Sequence, residues 1–229
     1  MGDDTATRTR TRNRRGQGAR LRDDIVRAAV DLLDETGDER AVTLRSVARR
    51  VGIAAPSIYR HFPDQPAIML AVVRNDFAAL EADLRHAVNA AGGSPRERLT
   101  ALCRGYLDFA AVRPGRYRTM FGGIWMPDPE QGSVGAEDLA ALGRASMRLL
   151  AEALGDCADE GSATSTDVAA DAVALWLGLH GLAHQRAAAP SFPWPPDIAE
   201  RLIGSLAHLT GEAASPAATA DKRAGTEPV

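Results

Sequence analysis

The sequence predicts an all-α protein: a small N-terminal helix-turn-helix unit followed by a larger helical bundle, 229 residues in total. Three observations predict this. Apolar residues recur at helical spacing through most of residues 20–210. No stretch alternates apolar and polar residues for long enough to make a strand. Glycine, proline and polar clusters break the pattern at helix-length intervals. The balance of 45 % apolar and 25 % charged residues excludes a wholly disordered or collagen-like chain.

The elements follow in order. Residues 1–19 are rich in Thr, Arg, Gly and Asp and read as a flexible arm. A helix over about 21–36 places Ile25, Ala29, Leu32 and Leu33 on one face, with Gly37 as its stop. Thr43 caps a short helix to Val51, Gly52 breaks it, and a third helix runs to Phe62. Asp64 before Pro66 starts a long helix to about residue 90, striped by Ile68, Val72, Phe77, Leu80 and Leu84. Helices follow over about 95–112, 116–121, 136–154, 166–188 and 197–210, about nine in all. Residues 122–135 are irregular, 155–166 form a polar loop, and four prolines stiffen 189–196.

The expected domains are an arm over 1–19, a small helical domain over 20–80 with a helix-turn-helix at 44–63, a larger helical domain over 81–211, and a disordered tail over 212–229. No run of 18 uncharged apolar residues exists, so no membrane partner is expected. The polar, arginine-rich start lacks the apolar core of a secretory signal. Cys103 and Cys157 stand alone, without a CxxC, which suits a reducing cytoplasm.

The net charge of −3 conceals an asymmetry. Residues 1–63 hold thirteen arginines against nine acids, and the rest of the chain is acidic. A basic end suggests a polyanion partner, although a solvated tail has the same composition. Residues 44–63, LRSVARRVGIAAPSIYRHFP, resolve the choice. Val47, Ala48 and Val51 form an inner face, and Ala48 is small where a second helix crosses. Gly52 suits a turn of positive φ, Ile53 plugs it, and Ile58 and Phe62 anchor the second helix. That helix turns Ala55, Pro56, Ser57, Tyr59, Arg60 and His61 outward. These side chains are short or hydrogen-bonding, and no acid occurs from Thr43 to Pro63. Such a helix fits the major groove, where Arg pairs with guanine edges and Ser or Tyr reaches phosphates.

Residues 20–80 resemble the DNA-binding domain of the TetR family of bacterial transcriptional regulators. The resemblance lies in Ile25 and Ala29, in the string from Thr43 through Val51-Gly52, and in Ser57-Ile58-Tyr59-Arg60-His61-Phe62, with the family's Tyr-x-x-Phe ending. It implies DNA contacts from Thr43, Arg45, Ala55, Pro56, Ser57, Tyr59, Arg60, His61 and Gln65. The family usually places a phosphate-gripping lysine at the start of the fourth helix. This chain has Gln65 there, which leaves the amides of that helix to face the backbone. Arg10, Arg12, Arg14 and Arg15 of the arm are expected to compensate in the minor groove.

The C-terminal part also resembles a subgroup of that family, the WHG-type regulatory domain, through Trp176, His180 and Gly181 and through Arg113-Pro114-Gly115-Arg116-Tyr117 with Met120-Phe121. The resemblance implies a homodimer and a small-molecule effector. The dimer is expected through the two last helices, about 166–188 and 197–210, where Gly178, Gly181 and Ala183 allow close approach or ordinary bundle packing. Tyr106, Phe109, Tyr117, Phe121 and Trp125 cluster within 20 residues. With Trp176 and His180 they are the expected lining for an apolar or aromatic effector, the alternative being a packed core. Trp125-Met126 fits a lid or a loop anchor.

His180 and His184 have the spacing of a metal pair, but no Glu follows His180 and no third ligand is near, so no metal site is assigned. No cofactor is expected. A small helical enzyme is a different class of reading, yet GxSxG, P-loop, GxGxxG, HEXXH and a Cys-His nucleophile set are all absent. The expectation is therefore a homodimeric repressor that binds a palindromic operator and is released by a ligand. A metal sensor working through His180 and His184 is the alternative.

Overall fold

A computed structural model describes residues 17–123 and 125–211. The elements are α1 (Gln17–Thr36), a 3-10 turn (Glu39–Ala41), α2 (Leu44–Val51), α3 (Ala55–Ile58), α4 (Gln65–Ala91), α5 (Pro95–Val112), α6 (Pro114–Phe121), α7 (Ala136–Ala140), α8 (Arg144–Glu160), α9 (Val168–Ala188) and α10 (Ile198–Leu206). The protein is all-α. Among the described residues the β pairing is one isolated bridge, Ala163 with Leu209. No described helix is long and apolar enough to cross a membrane. Among the described residues two compact units arise, the divisions falling within α4, α5 and α8. One holds residues 17–83 with 109–146, the other residues 84–108 with 147–211.

The first unit is built on α1. Its Ile25, Ala29 and Leu33 meet Val47 and Ala48 of α2, then Ile58 and Phe62, then Ile68, Met69 and Val72 of α4. Burying an aliphatic side chain of this size contributes about 1.5–3 kcal/mol, so these residues fix how the short helices sit. Thr43 starts α2 through a capping box: its hydroxyl accepts from the Ser46 N–H at 3.0 Å, and the Ser46 hydroxyl accepts from the Thr43 N–H at 2.9 Å. Gly52 ends α2 at φ +76°, a left-handed conformation that costs glycine little. Arg50 reaches back to Glu35 and ties α2 to α1. Deeper in this unit Asp76 of α4 is 1 % exposed. Its Oδ1 lies 3.7 Å from Arg116 Nε and has no hydrogen-bond partner. Burial pushes its carboxyl up to about 6, against the opposing pull of Arg116.

The second unit packs Leu84, Leu99, Leu102, Leu154, Leu175, Leu179 and Ile203 in its core. Gly178 lets α10 approach α9, since a Cβ there would stand 2.4 Å from Leu206 and 3.0 Å from Leu202. Cys103 and Cys157 are free buried thiols, and burial pushes Cys103 up to about 12.

Several boundaries differ from the sequence expectation. α1 begins at Gln17, within the span read as an arm. The span 136–154, read as one helix, is α7 and α8. Bonds of i+3 type, Leu142 N–H to Leu139 and Arg144 N–H to Ala141, replace the i+4 ladder between them. α8 then continues to Glu160, into the predicted polar loop. Regular α3 is a single turn, continued to Phe62 by the bonds of His61 and Phe62 N–H to the Ile58 carbonyl.

Candidate nucleic-acid interface

The recognition turn is two-faced. Ile58 and Phe62 are buried among α1 and α4. Between them Tyr59 is 57 % exposed, and Arg60 beside it is exposed. Pro56 is exposed too, while Ala55, Ser57 and His61 are half-buried. On α2, Arg45 and Arg49 are exposed, and Thr43 is exposed although its hydroxyl is engaged in the cap. Arg50 is spent on Glu35. The surface therefore offers a phenol, guanidinium groups and small side chains without a carboxylate from Thr43 to Pro63. This is the composition of a surface that meets a polyanion.

Gln65 has a different place. Its Nε2 donates to the Glu39 carbonyl at 2.9 Å, so it ties α4 to the 3-10 turn. Asp64 caps α4 by accepting from the Ala67 N–H at 2.9 Å, and Pro66 has no N–H to offer. The expectation that the first turn of α4 presents amides to a phosphate thus meets a carboxylate there. Arg10, Arg12, Arg14 and Arg15 lie outside the described residues. One cation escaped the sequence reading: the Arg22 guanidinium stands 4.5 Å over the Phe62 ring. It borders an open cleft of about 420 Å³ that His61, Pro63, Leu70 and Arg74 also line. Its i−3 position before Ile25 was the available signal.

The expected effector residues divide between the units. In the first, Phe109 and Tyr117 are buried and Phe121 and Trp125 half-buried. Phe121 meets Phe77 edge-on at 5.5 Å and Tyr117 at 5.0 Å, beside an open cleft of about 160 Å³ lined by Phe77, Leu142 and Ser146. Trp125 packs against the core around α1. In the second unit Trp176 stacks on His180 at 5.6 Å, and the buried Tyr106 places its hydroxyl 3.4 Å from His180 Nδ1. The His184 ring is 5.7 Å from that of His180. Burial first, and His184 second, hold His180 below the usual histidine range. Among the described residues no group of three or more His, Cys, Asp and Glu converges to hold a metal. On α9, Val173 and Leu177 are exposed, Leu177 at 55 %, and Gly181 beside them faces open space.

A pair of short helices joined by a tight turn on an apolar core, with a cationic outer face, defines a helix-turn-helix protein. Known proteins narrow the class. A profile described as bacterial regulatory proteins, tetR family, matches residues 25–72. One described as tetracyclin repressor-like, C-terminal domain, matches residues 99–209. An uncharacterised HTH-type transcriptional regulator of Mycobacterium bovis is 39 % identical over 56 residues, which are 24 % of this chain and 29 % of that protein. The alignment thus takes in under a third of the relative. A Rhodococcus sp. RHA1 protein of unknown function has a similar fold: TM-score 0.66, 22 % identity, covering 88 % of this chain and 95 % of that one. PfmR of Thermus thermophilus, a TetR family transcriptional regulator, gives 0.55 and 21 % over 80 % and 96 %. The chain belongs to the TetR family of transcriptional regulators. Kinship gives the helical-enzyme reading no support.

Proposed function

We propose that the chain is a sequence-specific DNA-binding regulator that grips a two-fold operator as a homodimer and lets go when a small molecule binds. The observation that carries this reading is the split face of the recognition turn, with Ile58 and Phe62 inward and Tyr59 and Arg60 outward. Arg60 and Tyr59 read the major groove, supported by Ser57, Pro56, Ala55 and His61, while Thr43 and Arg45 meet the phosphates. Arg22 takes over the backbone grip for which Gln65 is unsuited. The arm arginines add minor-groove contacts, and the working place is the cytoplasm, where such an operator lies.

Two copies are needed because one helix-turn-helix reads only a few base pairs. Half-sites about one helical turn apart, ~34 Å, demand a symmetric pair. The uncharged strip of Val173, Leu177 and Gly181 on α9, with α10 beside it, supports pairing there. The effector is an apolar or aromatic molecule, with Phe109, Tyr117, Phe121 and Trp125 as candidate lining in the first unit and Tyr106, Trp176 and His180 as candidate lining in the second. To release DNA it must bind one conformation more tightly than the other. The domain assignments of the sequence reading, with a reading head over 20–80 and a regulatory part over 81–211, belong to the same proposal.

A mobility-shift titration on the upstream region of the chain's own gene tests it. A shift at low salt that competitor DNA of unrelated sequence does not abolish is the expected result. Absence of any shift contradicts it.

A further inference from the structure

The irregular segment after α6 is fastened to the first turn of α4. Ser133 donates its backbone N–H to Asp64 Oδ2 at 3.0 Å and its hydroxyl to Asp64 Oδ1 at 2.7 Å. The same Oδ1 accepts from the Ala67 N–H. One carboxylate thus serves both the helix start and a segment 69 residues away in sequence. The fastening has further points. Val134 is buried. Asp138 accepts from the Gly135 N–H at 3.2 Å and pairs with Arg74 of α4 at 2.6 Å. Trp125, at the start of the segment, packs against the core that carries the recognition turn. Asp64 stands two residues after Phe62, where that turn ends.

We infer that Ser133 is a positioning residue for DNA reading. Through Asp64 the segment 125–138 braces the start of α4, and the brace sets how Tyr59 and Arg60 are presented. This rests on the DNA-binding reading above and deepens it. A ligand that moves Phe121 or Trp125 reaches the reading head through the brace. No phosphate contact is involved, because the N–H and the hydroxyl of Ser133 are both turned to Asp64.

The test uses the full chain with Ser133→Ala and Ser133→Thr. Amide exchange over residues 64–70, the thermal midpoint, and operator binding at two salt concentrations are measured for each. Loss of one net hydrogen bond predicts about three- to tenfold faster exchange at Ala67 and about three- to tenfold weaker operator binding for Ser133→Ala. The salt slope stays unchanged, since no cation leaves a phosphate. Ser133→Thr restores exchange and affinity. Unchanged exchange overturns the brace. Faster exchange with unchanged affinity, or an affinity loss that merely follows a fall in the midpoint, overturns the positioning role. If the wild-type chain shifts no duplex, the DNA reading fails, and exchange still reports separately whether Ser133 holds α4.

Discussion

Arg22 lies over the Phe62 ring, so α1 carries a cation to the point where the recognition turn ends. A side chain held there would lose little further freedom on meeting the phosphate that the proposed function assigns to it. Arg22→Ala is expected to weaken binding evenly across operator sequences and to make the negative slope of log affinity against log salt shallower by about 0.9. Arg22→Lys keeps the slope. Fluorescence anisotropy at several salt concentrations measures both, and a slope unaltered in Arg22→Ala removes Arg22 from the interface. Asp76 makes a separate prediction. Its folded carboxyl titrates near 6, above the ordinary aspartate value. The fold therefore favours the protonated form. The stabilisation is fully present below the ordinary value near 3.8 and is lost as pH rises through about 6. Asp76→Asn removes this dependence. Between pH 4 and 7 the wild type is expected to lose about 2 kcal/mol relative to the variant, at about 1.36 kcal/mol per pKa unit. Urea denaturation across that range reads it, and parallel curves for the two proteins contradict it.

Helices keep their places by what their faces meet. Gly178→Ala pushes a methyl into Leu206 and Leu202, so α9 and α10 must separate or their leucines leave their rotamers. Overpacking costs about 1–3 kcal/mol and alanine regains ~1 kcal/mol over glycine inside a helix, so a net loss of about 1–2 kcal/mol in unfolding free energy is expected from chemical denaturation. A neutral result means that α10 yields freely. Much of the first unit was legible at this scale because its signals are local. The Thr43 cap, the left-handed Gly52 and the inward Ile58 and Phe62 each depend on neighbours within four or five residues. The break at 141–143 carries one local signal, Gly143 at φ +69°, which the apolar periodicity continuing on either side of it masks. The bond of Gln65 to Glu39 and that of Asp64 to Ser133 span 26 and 69 residues. Such pairings depend on where the fold brings distant segments, which spacing does not encode. The same reason explains the aromatic set: its clustering in sequence is plain, yet its members fall into two units.

For the whole molecule, the proposed function requires two copies whose recognition turns match the half-sites of a duplex. The uncharged strip on α9 is the expected seam, and Leu177→Arg places a cation in it. Sedimentation is expected to show a monomer for this variant, with operator affinity falling together with the dimer. A dimer that survives the change moves the seam elsewhere. Everything functional depends on the outward face of the recognition turn. The direct measurement is the binding of a Tyr59→Ala, Arg60→Ala double variant to the operator duplex and to an unrelated duplex of equal length, beside the wild type. The account predicts that the variant keeps its fold and its weak affinity for the unrelated duplex but loses the preference for the operator, at about 1–3 kcal/mol per lost base contact. A double variant that discriminates between the two duplexes as well as the wild type does would contradict it.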